Sequence, residues 1–403
     1  MRVVVHDYVG HPFQIDLSRE LARRGHEVLH LYCSSVATPH GDLARRPTDS
    51  ASLTITAVEL TSTISRERLF ARRRLEAEHG RRVVEHLRAF RPDVVLSANA
   101  PLESQKRIEG VCRRERIRFV FWVQDLIAEA INRLLRPRLG KAVAPVVWHY
   151  RGLEQRLLRD ADAVVVIAED FLPFIPRDAV VIENWAPLDG LELRPKDNDW
   201  SRLHGLAETT NVVYAGTLGM KHDPGLLVRF AQECSAMGSV RVVVATEGSA
   251  ADWLRERAGE FGLTNLLVLP FQPFSALADM LGAADVLLAI LDRDAGVFSV
   301  PSKVLTHLCV GKPQLLVVPR ENLAARVVER AGAGIVVQPG DQEAAAAALR
   351  RLLSRPSERR DMGSRGRAYA KSTFAIGPIG DRFESVLRGP IGESHGATQS
   401  ASL

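Results

Sequence analysis

The segment Ala215-Gly216-Thr217-Leu218-Gly219-Met220-Lys221-His222-Asp223-Pro224 follows a β-branched run and leads into an amphipathic stretch. Gly216 and Gly219 allow a tight turn, Asp223 suits a helix N-cap and Pro224 suits the first helical position. Backbone N–H groups in such a turn can face an anion, the helix dipole favours it, and Lys221 adds a full charge. A bare strand-to-helix turn with a solvated lysine has the same local pattern, so the loop gains meaning from its company. A second segment, Asp294–Lys312, reads DAGVFSVPSKVLTHLCVGK. Ser302 is the natural N-cap of the helix predicted there, and Lys303 falls in its first turn, where a cation opposes the helix dipole. That placement makes sense beside a bound anion. Pro319-Arg320-Glu321-Asn322 is a third strand end running into a helix. Three such starts in one half of the chain predict a phosphate or diphosphate site.

The N-terminal half offers different chemistry. Val9-Gly10-His11, Asn99 in SANAPL, and Asp125 after FWVQ all follow predicted strands. Asp125 can orient a hydroxyl or receive its proton, or it can cap the next helix. His11 is either a surface-loop histidine or a group facing a ligand. Asp292-Arg293-Asp294 resembles a metal-binding DxD. However, the same spacing recurs at Asp160/Asp162 and Asp197/Asp199, so no metal is predicted. A GxxxxGK[ST] loop and a GxGxxG after the first strand are both missing, which argues against a P-loop enzyme and a dinucleotide dehydrogenase.

These loops need elements to hold them. The chain has 403 residues, enough for two or three domains. With 46% hydrophobic and 25% charged residues it has the balance of a globular protein. Short runs such as Val3–His6, Val28–Tyr32, Asp93–Ser97 and Arg118–Val123 alternate with helical stretches such as Pro12–Arg24, Arg68–Phe90 and Glu103–Arg116. The alternation predicts right-handed βαβ units and a parallel sheet. It breaks at Ala186–Thr210 and resumes with Val212–Ala215, Val240–Ala245, Leu266–Leu269, Val286–Ile290, Gln314–Val318 and Ile335–Gln338. The expected organisation is α/β. Residues 1–190 and 191–372 form two doubly wound, Rossmann-like domains facing a central cleft. A helix over 373–388 packs back on the first domain, and a disordered tail covers 389–403. Cys33, Cys112, Cys234 and Cys309 form no CxxC and suggest a reducing cytoplasm.

The pattern YAGTLGMKHDP…ATEG…LPFQP…FSVPSKVLTHLCVGKP…ENLAARVVERAGAGIVVQPGD resembles the donor-binding domain of GT-B glycosyltransferases. More narrowly it is similar to retaining family 4, in the bacterial polysaccharide group of the WbuB/WcaI type. VGHPFQIDLSRELARRGHEVLHLYCSS, FWVQDL and VIENW look like that group too, so the resemblance covers about residues 1–375. It implies transfer of a sugar from a nucleotide donor, a UDP-sugar, with no metal or other cofactor. The C-terminal domain would hold the donor through Gly216, Thr217, Gly219, Lys221, Glu247, Phe271, Ser299, Val300, Pro301, Ser302, Lys303 and Thr306. The N-terminal domain would hold a lipid-linked or glycan acceptor through Gly10, His11, Asn99 and Asp125. Lys221 and Asp125 are the expected catalytic pair. The sequence departs from the family where two glutamates stand eight positions apart, here Phe298 and Thr306. It also departs at Thr217, often arginine, and at Gln124, often histidine. Two other readings stay open: an isomerase of the same fold, like a UDP-N-acetylhexosamine 2-epimerase, and a non-catalytic partner subunit.

Lys+Arg 53 against Asp+Glu 48 gives a net charge of +5, which says little as a sum. Locally, residues 66–91 hold nine Arg against four Glu, and residues 133–159 hold seven basic residues against one acid. Both stretches interleave cations with apolar side chains, which suits an anionic membrane surface or an ordinary Arg-faced helix. Aromatics at 6% make nucleic acid a poor partner. The expected location is the cytoplasm, on the inner face of its membrane.

Overall fold

Runs of valine and isoleucine that are apolar on both faces form strands covered by helices on both sides. In the computed structural model they build two parallel sheets. The structure describes residues 1–36, 40–62, 69–98, 100–219, 222–293 and 300–389. The first sheet contains β1 (Arg2–Asp7), β2 (Glu27–Cys33), β3 (Leu53–Val58), β4 (Val94–Ala98), β5 (Arg118–Val123), β6 (Ala163–Val166) and β7 (Val180–Val181), ordered 3-2-1-4-5-6-7. The second contains β8 (Thr210–Ala215), β9 (Val240–Ala245), β10 (Leu266–Leu269), β11 (Val286–Ile290), β12 (Gln314–Val317) and β13 (Gly334–Val337), ordered 10-9-8-11-12-13.

Helices α1 (Pro12–Arg23), α2 (Leu69–Phe90), α3 (Leu102–Glu115), α4 (Ile127–Leu139) and α5 (Ala144–Asp160) belong to the first sheet. A short α6 (Asp199–Leu203) comes between the two sheets in chain order. Then come α7 (Gly225–Cys234), α8 (Ser249–Glu260), α9 (Phe274–Gly282), α10 (Lys303–Cys309), α11 (Leu323–Ala331) and α12 (Gln342–Ser354). Last are α13 (Pro356–Thr373) and α14 (Ile376–Arg388). The helical stretches read from sequence at Pro12–Arg24, Arg68–Phe90 and Glu103–Arg116 are α1, α2 and α3, to within one residue at each end. By contrast α6 was not foreseen, because five residues are too few to show a helical period. It is held by a reciprocal cap in which Asn198 and Ser201 exchange backbone and side-chain bonds.

In each sheet the strand order reverses in the middle, between β1 and β4 and between β8 and β11. Ligands of open α/β sheets bind outside the carboxyl ends at such points. The two carboxyl edges face one another: Asp170, in a 3-10 turn beyond β6, forms a two-oxygen ion pair with Arg326 of α11, beyond β12. The crossing chain is anchored at Trp185, whose ring stacks on Trp122 at 6.0 Å and whose Nε1–H donates to Asp16 at 2.9 Å. Helix α14 then returns to α1. Phe383 packs on Trp122 at 4.7 Å, and Arg24 meets Asp381 at 2.6 Å and Glu384 at 3.0 Å.

Candidate active site

After β8 the chain turns at Gly216, whose φ of +128° is a backbone conformation that favours glycine. The bare Cα also makes room. A Cβ built there would come to 3.0 Å from the Nζ of Lys303. That ammonium lies 3.6 Å from the centroid of the Tyr214 ring, a desolvated cation–π seat. Tyr214 is fully buried, and its hydroxyl donates to the Thr217 carbonyl at 2.9 Å, which fixes the turn from below. Burial pushes the Tyr214 phenol well above its ordinary range, so it stays a neutral donor. Thus the two segments singled out in the sequence, 215–224 and 294–312, meet at Gly216 and Lys303. On the same helix, His307 is held down at about 3 by burial and then by the Lys303 charge, which leaves Lys303 as the cation of that helix start.

The three helix starts differ. At α7 the Asp223 carboxylate accepts the Gly225 N–H at 2.9 Å, so that end carries its own cap. At α11 the buried Asn322 accepts the Ala324 N–H at 2.9 Å. Ser302 does not cap α10, contrary to the sequence reading. Its backbone is already helical (φ −59°, ψ −25°) and its side chain makes no cap bond, because a cap needs an extended residue. Of the three, α10 is the start that no side chain is seen to cap among the described residues. The rest of this wall is joined by Glu247, whose carboxylate accepts the Phe271 N–H at 3.1 Å. Val300 and Pro301 are half-buried just before α10, and Thr306 lies one turn into it.

Across the cleft, a residue missed in the sequence organises the loop after β1. Asp7 is fully buried and accepts N–H bonds from Val9 at 3.1 Å, Gly10 at 2.9 Å and His11 at 2.5 Å. Burial, opposed by those three bonds, raises it to about 7. The loop is gripped from the other side too, since Gly10 accepts the Gly41 N–H at 2.7 Å and His40 Nδ1 bonds the Val9 carbonyl at 2.8 Å. Gly10 (φ +79°) has no space for a Cβ, which would lie 2.6 Å from His40 Nδ1. His11 stacks on Phe13 with centroids 5.2 Å apart. Asp125 is exposed beyond β5 and does not cap α4; the N-cap position is Leu126. Its neighbour Gln124 pairs with Asn184 of the crossing chain at 2.7 Å.

Asn99, Lys221 and Ser299 lie outside the described residues, as does Phe298. A cavity of about 400 Å³ opens at the carboxyl ends of β11, β12 and β13, between Asp223 of the first loop and Asp292-Arg293 at the start of the second. A larger groove of about 650 Å³ runs along α2 outside edge strand β3, away from these loops. Among the described residues no group of three or more His, Cys, Asp or Glu is placed to hold a metal ion.

Comparison with known proteins matches this layout. A family model described as Glycosyl transferase 4-like domain matches residues 15–184, and one described as Glycosyl transferases group 1 matches residues 198–369. The chain is 22% identical over 313 residues to WcaI of Escherichia coli strain K12, named as a colanic acid biosynthesis glycosyl transferase; the match covers 75% of each chain. Sucrose-phosphate synthase from Thermosynechococcus elongatus superposes with a TM-score of 0.73 at 16% identity, covering 96% of this chain and 98% of that one. Anabaena HepE, solved in complex with UDP-glucose, gives 0.69 at 15% identity over 96% and 99%. With one glycosyl transferase model on each sheet, the two together spanning residues 15–184 and 198–369, the chain belongs to the GT-B glycosyltransferases, in the family 4-like group.

Proposed function

We propose that this glycosyltransferase moves an N-acetylhexosamine or deoxyhexosamine from a UDP-sugar to a lipid-linked or polysaccharide acceptor, with retention at the anomeric carbon and no metal. The observation that carries the reading is the Lys303 ammonium seated on Tyr214 against Gly216, one fixed cation shared by two loops. When the bond from C1 to the diphosphate oxygen breaks, negative charge grows on the leaving group. Lys303, the Gly216–Gly219 backbone and Lys221 meet that charge. The acceptor oxygen bonds to C1, and its proton passes to the leaving diphosphate oxygen or to Asp125. HepE was solved with UDP-glucose and WcaI is named for a polysaccharide, which supports the donor and acceptor classes.

Thermal melting with UDP-, GDP- and TDP-sugars tests this. A UDP-N-acetylhexosamine at about 100 times its Kd adds about 2.7 kcal/mol, a shift of several degrees. A shift by GDP- or TDP-sugars alone overturns the UDP assignment. Transfer with inverted anomeric configuration overturns retention.

The acceptor reading includes a membrane surface, and the two Arg-rich stretches differ there. In α2 the apolar residues Leu75, Val83, Val84 and Leu87 are buried, so that stretch is an ordinary amphipathic helix with a solvated basic face. In α5 Trp148 is 80% exposed and Val146 44%, with Lys141, Arg151 and Arg156 exposed nearby in the chain. An indole beside cations suits the headgroup layer of an anionic bilayer. No described helix is long and apolar enough to cross a membrane. Trp148→Ala is expected to weaken sedimentation with phosphatidylglycerol vesicles roughly tenfold, about 1.4 kcal/mol, while UDP-sugar binding stays unchanged. Equal sedimentation of both proteins would remove α5 from the membrane contact.

A further inference from the structure

Helix α4 starts two residues after Asp125, and its first N–H groups need acceptors. Leu126, at the N-cap position, supplies none from its side chain. The acceptor comes from another helix. Glu154 of α5 takes the Ile127 N–H at 2.8 Å and a second backbone bond from Ala128. Glu154 is 7% exposed, in a helix whose other inward positions are Val147, Leu153, Leu157 and Leu158. A buried carboxylate is costly unless it is engaged, and here both engagements are with the first two residues of α4, directly after the Asp125–Leu126 turn.

We propose that Glu154 is a positioning residue for the acceptor side of the reaction, holding the Asp125–Leu126 turn by capping α4 from a neighbouring helix. The inference rests on the acceptor role proposed for Asp125. The bonds fix main chain only and leave the Asp125 carboxylate solvent-exposed. The charged groups about Glu154 are Arg151 on its own helix and Glu129 on α4. Glu129 is in turn held by Arg133 at 2.5 Å and Arg151 at 3.7 Å, and α3 brings Glu103 to His149 of α5 at 3.4 Å. Burial, partly offset by the backbone bonds, raises Glu154 to about 7. The ionised group serves both N–H donors. The protonated group turns one oxygen into a hydroxyl and releases one of them. The acceptor KM therefore rises as pH falls through about 7.

The test uses the full chain with UDP-N-acetylglucosamine as donor and a polyprenyl-diphosphate-linked sugar as acceptor. Glu154→Gln is expected to lower kcat/KM for acceptor about tenfold and to make the acid limb of acceptor KM shallower, leaving the part that Asp7 supplies through the Gly10–His11 loop, with UDP affinity within about twofold of wild type. Ile127→Pro removes one of the two donors without touching Glu154, at a first helical position that accepts proline, and should reproduce part of the loss even if Glu154→Gln folds poorly. Amide exchange over residues 125–128 should quicken in Glu154→Gln and not in Asp125→Ala. In the double variant Glu154→Gln/Asp125→Ala the loss should be no greater than in Asp125→Ala alone. If the two losses multiply, or UDP affinity falls equally, Glu154 does not act through Asp125 and the proposal fails by itself. If Asp125→Ala transfers at the wild-type rate, the acceptor reading of Asp125 fails first and takes the proposal with it.

Discussion

Lys303→Ala is expected to lower kcat for sugar transfer by roughly 10²–10³-fold, the scale of losing one fixed donor aimed at developing charge. The ammonium is held before substrate arrives, by the Tyr214 ring beneath it and by the space left at Gly216. It therefore needs little reorganisation when the diphosphate leaves. UDP affinity should fall less than kcat, because full negative charge appears only as the bond to C1 breaks. Folding should be little affected. The variant loses a cation–π contact of about 1–2 kcal/mol but also removes a cation that opposes the α10 dipole by about 0.3–1 kcal/mol. Lys303→Arg is expected not to rescue turnover, since a planar guanidinium is larger than the seat between the Tyr214 ring and Gly216. Gly216→Ala should move in the same direction, because it forces φ +128° on a residue with a Cβ and puts that carbon 3.0 Å from Nζ. A Lys303→Ala enzyme with wild-type kcat at saturating donor would sink the assignment.

Lys303 also shows what the sequence makes legible. The residue type, the helix start and the opposing dipole are local, and they mark it as a candidate anion partner. Its meeting with Gly216 is not local, because strands β8 and β11 become neighbours only once β9 and β10 have been placed on the far side of β8. Tyr214 was lost for a related reason. In the run Val212–Ala215 it reads as one more core residue, and its hydroxyl bond to Thr217 exists only once the turn has formed. The capping role assigned to Ser302 failed because the sequence cannot show that the chain is already helical there.

Asp7 and Glu154 were overlooked although each left a trace. Asp7 is an acid ending the buried run Val3–His6, two residues before the Val9-Gly10-His11 turn. Glu154 is the one acid against seven basic residues in 133–159, set between leucines at inward helical positions. Buried carboxylates in such places earn attention only when their bonds to neighbouring backbone are seen. The strands, by contrast, were legible because covering both faces leaves an unbroken apolar run.

The second large effect is expected at Asp125. Asp125→Ala should lower transfer about 10²-fold, at the low end of what a positioned acid–base group supplies, with UDP affinity and melting temperature unchanged. The stability expectation follows from the structure: the residue is exposed, and the helix beside it is capped by Glu154 rather than by Asp125. A large loss therefore cannot be charged to a lost cap. Asp125→Asn separates the two remaining roles. Asparagine keeps an oxygen acceptor that can orient a hydroxyl but takes no proton at working pH. If Asn restores most of the rate, Asp125 orients the acceptor and the leaving diphosphate oxygen removes the proton. If Asn is as slow as Ala, the carboxylate itself receives that proton. Wild-type rates in both variants would leave Asp125 as a solvated turn residue and move the search for the acceptor contact to the loop that Asp7 holds.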